Sequence, residues 1–141
     1  MSEAISLIDT TVAERMLAVA REAAGNAYAP YSQFHVGAAV LFDDGYIATG
    51  CNVENASYGL TSCAERNAVF SAIGERGAAY RIVAIAVTNL NVAASPPCGA
   101  CRQVLSEFVT ADAVVMFPSD AGVEIRYFSE LFPFSFQFET K

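Results

Sequence analysis

Three cysteines and one glutamate carry the first chemical signal in this sequence. Pro97-Cys98-Gly99-Ala100-Cys101 is a C-x-x-C at the predicted start of a helix, and Cys63 stands at the predicted start of another. A lone C-x-x-C fits a redox dithiol, a pair of zinc ligands or chance. A third helix-start thiol favours zinc, which takes three protein ligands plus water in catalytic sites and four ligands in closed structural ones. Helix N-termini also favour thiolate over thiol through their dipoles. The competing reading of Cys63 is a small core residue.

A fourth protein ligand is hard to find. His35 is the only histidine, beside Phe34 on a predicted strand, and reads as a surface or supporting residue. Cys51 reads as packed in the sheet. With neither closing the shell, the fourth position is open to water. Glu65, two residues after Cys63, can reach beside a metal without ligating it and take a proton from an activated water. Ser62-x-x-Glu65 is also a capping box, so Glu65 has a plain helix-start role as its alternative.

The elements that must position these groups follow from pattern. Thr11-x-x-Glu14 reads as a capping box opening a helix over Val12–Ala24, stopped by Gly25. Ala29–Ser32 is a loop, Phe34–Phe42 a strand, Asp43-Asp44-Gly45 a hairpin turn and Tyr46–Asn52 a second strand. A loop over Val53–Thr61 leads to a helix over Cys63–Ile73 that ends at Gly74. Tyr80–Asn89 is apolar on both faces, which suits a central strand. Pro96-Pro97 precede a helix over Cys98–Val109. Ala113–Phe117 and Glu124–Phe128 are strands, and their short link predicts antiparallel pairing. Ser129–Leu131 opens a short last helix. The order predicts an α/β fold: a three-layer α/β/α sandwich with a mixed five-stranded sheet.

The 141 residues suit one domain, 1–141, with 54% hydrophobic and 16% charged residues, which excludes disorder. The longest apolar runs, Val36–Phe42 and Ile82–Val87, are far short of a membrane span. A net charge of −7 without a basic run disfavours nucleic acid and anionic membranes as partners. Met1–Ala4 has no basic leader character, and four cysteines in a reducing compartment read as free, metal-bound or catalytic, so a cytoplasmic location is expected.

Cys63-Ala64-Glu65 together with Pro97-Cys98-Gly99-Ala100-Cys101 resembles the zinc-dependent nucleoside and nucleobase deaminases, whose signature pairs a glutamate with a P-C-x-x-C. Most branches carry His at the position of Cys63, and three thiols resemble the small, homotetrameric cytidine deaminases. Pro30-Tyr31-Ser32-x-Phe34-x-Val36-Gly37-Ala38-Ala39 is similar to that family's first-strand signature. Gly50-Cys51-Asn52-Val53-Glu54-Asn55-Ala56-Ser57-Tyr58-Gly59 is similar to its nucleoside-binding segment, and Cys98–Phe108 to its second zinc helix. The likeness runs from about Pro30 to Phe108, with a looser tail at Leu131–Phe136.

The resemblance implies that Cys63, Cys98 and Cys101 hold Zn²⁺ and that Glu65 moves protons to N3 and the leaving amino group of cytosine. It implies that Asn52 and Glu54 grip the ribose by its 3′-hydroxyl, that Phe34 faces the pyrimidine and that the backbone of Ala64 meets the base carbonyl. Arg66 would offset the negative charge of the thiolate centre, and Arg102 is a second candidate for that role. Ala56 and Tyr58 are implied from a neighbouring subunit, as is a tail Phe, best matched by Phe136. The implied activity is deamination of cytidine and deoxycytidine by a homotetramer with shared sites. A blasticidin-type aminonucleoside deaminase and a non-enzymatic zinc or redox module are the rivals. Glu54 argues against the first, and an open three-ligand site against the second.

Overall fold

The computed structural model describes residues 8–138; the reading of Met1–Ala4 lies outside them. Helix α1 spans Thr10–Ala24. Strands β1 (Val36–Phe42) and β2 (Ile47–Cys51) form a hairpin. A 3₁₀ turn at Tyr58–Leu60 precedes α2, Ala64–Arg76. Strand β3 (Ile82–Asn89), helix α3 (Gly99–Ser106) and strand β4 (Val109–Ser119) follow. Strand β5 (Gly122–Tyr127) and the short α4 (Phe128–Leu131) end the fold.

The sheet order is β2-β1-β3-β4-β5. Only β3 and β4 run parallel, as the α3 crossover between them requires; the other three pairs are antiparallel. Alternation splits the strands between two apolar layers. Ala39, Ala84, Ala86, Val114 and Met116 face α1, meeting Met16 and Ala20. Val40, Ile85, Val87, Val115 and Phe117 face the opposite way, meeting Ala68, Val69 and Ala72 of α2, Leu105 of α3 and Phe128 of α4. The expected mixed sandwich with helices on both faces is therefore present.

Several boundaries differ from expectation, each for a local reason. Asp9, not Thr11, caps α1: its Oδ1 accepts the Thr11 N–H at 2.7 Å, so the helix starts at Thr10. Gln33 has φ +60, in the left-handed region, so β1 starts at Val36 rather than Phe34. Helix α2 continues through Gly74 and ends where Gly77 takes φ +76. Helix α3 stops at Ser106 because Val109 already pairs with Ile82 in the sheet, and β4 is correspondingly longer.

Two glycines set how closely helices approach the sheet. A Cβ on Gly37 would stand 1.8 Å from the Ala20 carbonyl oxygen, so α1 lies directly on β1 there. A Cβ on Gly50 would stand 2.5 Å from the Ala68 nitrogen and 2.6 Å from the Ala64 oxygen. Ala64, Ala68 and Ala72 recur every four residues on the buried face of α2, and this small-residue stripe lets the helix seat against β2.

Candidate functional site

The N-termini of α2 and α3 meet beyond the sheet, and each brings thiols with it. Cys63 is the N-cap residue of α2 and Cys98 the N-cap residue of α3, with Cys101 one turn further on. Cys63 Sγ lies 3.6 Å from Cys98 Sγ, which lies 3.3 Å from Cys101 Sγ. All three sulfurs fall within 4.8 Å of one another. Tetrahedral zinc–thiolate geometry, with ~2.3 Å bonds, places ligand sulfurs about 3.8 Å apart, so the donor set fits zinc. Among the described residues these three alone form such a cluster. His35 is turned to the Gln33 carbonyl through Nδ1, and Cys51 lies in a different cavity, with Val19 and Glu22. Neither adds a fourth ligand, and all four cysteines are free thiols.

The thiols do not titrate alike. A hydrogen bond from Cys101, followed by bonds from Arg66 and Cys98, brings the Cys63 thiol down to about 5 despite partial burial. Cys101 moves the other way: its bond to Cys63 and its own burial hold its proton well above the ordinary thiol range. Three adjacent thiolates therefore need a cation among them. Arg66 supplies part of that charge, with Nη2 3.4 Å from Cys63 Sγ and 3.4 Å from the Thr61 carbonyl. Its Nε is buried without a hydrogen-bond partner. Arg102, the second candidate for this role, is placed elsewhere. Its Nε donates to the Pro97 carbonyl and its Nη1 to the Leu131 carbonyl, both at 2.8 Å. Arg102 thus ties the metal loop to α4 rather than bonding sulfur.

Glu65 occupies the second position of α2 and is buried, 4% exposed. Burial, reinforced by the neighbouring Cys63, pushes its carboxyl up to about 7, where it can both accept and release a proton near neutrality. The capping-box alternative does not apply: Cys63 is the N-cap residue, and Ser62 Oγ is 2.7 Å from Asn67 Oδ1, to which it donates.

A cavity of about 250 Å³ reaches these groups; Phe34, Asn52, Glu54, Cys63, Ala64, Glu65 and Cys98 all lie on its wall. Ala64, at the first helical position of α2, has an N–H that no intrahelical acceptor takes. Asn52 is buried, with Oδ1 accepting from the Val36 N–H at 2.9 Å and Nδ2 donating to the Phe34 carbonyl at 2.8 Å. Glu54 Oε1 accepts from the N–H groups of Tyr31 (2.9 Å) and Ser32 (3.1 Å), and Oε2 from the Ser32 hydroxyl. The Ser32 hydroxyl bond, with the two backbone bonds behind it, holds the Glu54 carboxyl below its ordinary value. A carboxylate has about four acceptor positions and a carboxamide two donors. Glu54 thus keeps one acceptor and Asn52 one donor, a set that matches a single hydroxyl group.

The supporting residues carried no motif. Backbone bonds pair Val53 with Ser62 in both directions at 2.9 Å, and the Tyr28 carbonyl accepts from the Glu54 N–H at 2.9 Å. The segment read as a plain loop is therefore closed at its ends by isolated bridges, Val53 to Tyr28 and Val53 to Ser62. Asn67 Nδ2 donates to the Cys51 carbonyl at 2.7 Å, pinning the start of α2 to β2. Buried Asn89 folds the approach to Cys98, donating to Ala93 O and Ser95 Oγ and accepting from the N–H groups of Asn91 and Ala93. Only the side-chain-to-backbone habit of Asn in turns hinted at these roles.

Ala56, Tyr58 and Phe136 lie outside the cavity of their own chain. Tyr58 is 81% exposed and borders an adjoining cavity with Tyr31 and Asn55. Phe136 is 68% exposed, its carbonyl accepting from Gln103 Nε2 at 3.0 Å.

Three thiols shaped for zinc, and a buried carboxyl raised to about 7 beside them, place this sandwich among proteins built around a catalytic zinc. Residues 10–117 match the family described as the cytidine and deoxycytidylate deaminase zinc-binding region. A cytidine deaminase of Halalkalibacterium halodurans is 46% identical over 127 residues, 89% of this chain and 95% of that protein. One from Mycobacterium tuberculosis is 46% identical over 117 residues, 83% and 84% of the two chains. The crystal structure of cytidine deaminase from Burkholderia pseudomallei superposes with a TM-score of 0.77 at 42% identity, covering 87% of this chain and 98% of that one. That of the Mycobacterium tuberculosis enzyme also scores 0.77, at 40% identity over 89% and 97%. The chain belongs to the cytidine and deoxycytidylate deaminase family.

Proposed function

We propose that this chain is a zinc-dependent hydrolase that converts cytidine and deoxycytidine to uridine and deoxyuridine, releasing ammonia. The observation that carries the reading is the single cavity on whose wall stand Cys63 and Cys98 of the thiol cluster, Glu65 and the Asn52–Glu54 pair. In this reading Cys63, Cys98 and Cys101 hold the zinc, which when bound supplies a water-derived nucleophile at neutral pH.

The protein's own groups do the remaining work. Glu65 takes a proton, delivers it to N3 of the cytosine ring and then protonates the departing amino nitrogen. The Ala64 N–H meets the base carbonyl, and Phe34 covers the ring. Asn52 donates to one sugar hydroxyl while Glu54 accepts from it. Arg66 offsets the charge that the thiolates bring. The cavity residues from Ser32 to Cys98 include no Lys or Arg, which favours a neutral nucleoside over a nucleotide.

The reading extends to a single domain over 1–141, a cytoplasmic location and a homotetramer. Ala56, Tyr58 and Phe136 would then complete a neighbour's site. Their exposure, with that of Phe134 and Phe138, supports burial by another copy. Among the described residues no helix is long and apolar enough to cross a membrane.

The test follows ultraviolet absorbance with cytidine, deoxycytidine, cytosine and dCMP, alongside zinc quantification. Turnover of both nucleosides, with about one zinc per chain and little activity on cytosine or dCMP, is the expected result. Turnover of none, or dCMP as the preferred substrate, would overturn the reading.

A further inference from the structure

Ser32 has no part in the chemistry above, yet it joins two residues of the cavity wall, Glu54 and Phe34. Its hydroxyl donates to Glu54 Oε2 and accepts from the Phe34 N–H at 3.0 Å. The Phe34 carbonyl is held in turn by Asn52 Nδ2 at 2.8 Å. Both peptide groups flanking the Phe34 side chain are thus held by side chains. Between Ser32 and Phe34, Gln33 takes the left-handed φ of +60, with its own N–H on the Ala29 carbonyl at 3.0 Å. This turn has little slack, so the Ser32 hydroxyl cannot leave Glu54 without disturbing Phe34.

The consequence for Glu54 is directional. With Oε1 taken by the Tyr31 and Ser32 N–H groups and one position on Oε2 taken by the Ser32 hydroxyl, a single acceptor position remains. Without that hydroxyl, both positions of Oε2 are open and the carboxylate can pivot about Oε1.

We propose that Ser32 is a positioning residue for the sugar end of the substrate: its hydroxyl aims Glu54 at one sugar hydroxyl and couples that aim to the placement of Phe34. The inference rests on the reading above that Glu54 grips the sugar.

The experiment compares kcat/KM for cytidine and 3′-deoxycytidine in the parent enzyme, Ser32→Ala, Ser32→Thr and Glu54→Ala, with zinc content measured in each. Ser32→Ala is expected to shrink the preference for cytidine about tenfold, mainly through KM, the scale of one hydrogen bond to a charged group. Zinc content stays at the parent level, and Ser32→Thr restores the preference. An equal loss on both substrates, no loss on either, or a Thr variant that behaves as Ala would overturn the proposal. A preference lost in Glu54→Ala but intact in Ser32→Ala would overturn it while leaving the sugar reading standing. A preference unchanged in Glu54→Ala would overturn both.

Discussion

Gly50 of β2 and Ala64 of α2 touch backbone to backbone: a methyl group on Gly50 would come within 2.6 Å of the Ala64 carbonyl oxygen. The contact lies one residue from Cys63 and from Glu65, so it sets the height of the Cys63–Glu65 end of α2 above the sheet. Neither partner can yield by rotating a side chain. Gly50→Ala is expected to cost about 1–3 kcal/mol of stability, the usual penalty for overpacking, and to lower kcat beyond what the stability loss explains. Thermal melts and steady-state kinetics on the same preparation check it; a variant with parental Tm and kcat would show that the helix can move freely.

Glu65→Gln keeps shape and removes the carboxyl group proposed to carry protons. With Glu65 buried and its carboxyl at about 7, the amide is expected to leave the fold and the zinc content intact. It should lower kcat by ~10²–10⁴-fold or more, since one group serves several transfers. Zinc analysis and single-turnover kinetics together read this out. Removing zinc from the parent protein with a chelator should abolish turnover, and added zinc should restore it.

Arg66 is the cation in contact with the thiol cluster, through Nη2 and Cys63 Sγ. Arg66→Gln keeps hydrogen-bonding capacity but removes the charge. The expected outcome is at least a tenfold fall in kcat with zinc retained, because a more negative centre activates water less well. Rescue by Arg66→Lys would separate charge from shape: a lysine places the charge but not the planar fork, so partial recovery is expected.

Arg102 links Pro97, next to Cys98, to Leu131 at the end of α4. Arg102→Ala leaves both carbonyls without this donor and frees the metal loop from the tail. Faster loss of zinc to a competing chelator is expected, with the initial kcat of the loaded enzyme changed less than threefold, the effect being on loop rigidity rather than on the reacting atoms. Unchanged zinc release would confine Arg102 to holding α4.

Phe136 tests the shared site. At 68% exposure it contributes little to its own chain's core, so Phe136→Ala should leave Tm nearly unchanged. If the ring enters a neighbour's pocket, KM for cytidine rises several-fold and light scattering of the parent reports four chains. Phe134→Ala and Phe138→Ala, made in parallel, identify which ring of the alternating series does so. A fully active monomer would remove the shared-site reading.

Much of this site was legible from residue types and spacing. The C-x-x-C and the thiol two residues before Glu65 identified a zinc centre because few other chemistries need three thiols at helix starts. Helix periods and apolar strands gave the order of elements. Other features were not readable, for reasons that lie in competition between local signals. Ser62-x-x-Glu65 and Thr11-x-x-Glu14 look alike as capping boxes, yet the first is displaced by Cys63 and the second by Asp9. Arg66 and Arg102 both follow metal-site residues, and only packing sends one to sulfur and the other to backbone carbonyls. Spacing cannot distinguish these outcomes, since each depends on which acceptor is nearer across the fold.

What the sequence by itself determined is the chemical inventory: three thiols suited to zinc, a glutamate two residues from one of them, the layered α/β architecture and a net charge of −7. These depend on composition and on contacts within a few residues. What only the tertiary structure decided is orientation. Cys63 and Cys98 are separated by thirty-five residues in the chain, and their sulfurs come to 3.6 Å only because β3 and the two flanking helices bring their N-termini to one end of the sheet. The Ser32–Glu54 bond spans twenty-two residues and needs both the left-handed turn at Gln33 and the isolated bridges at Val53. Long-range contacts of this kind follow from the packing of whole elements, whose free energy is spread over many side chains and is not carried by any motif.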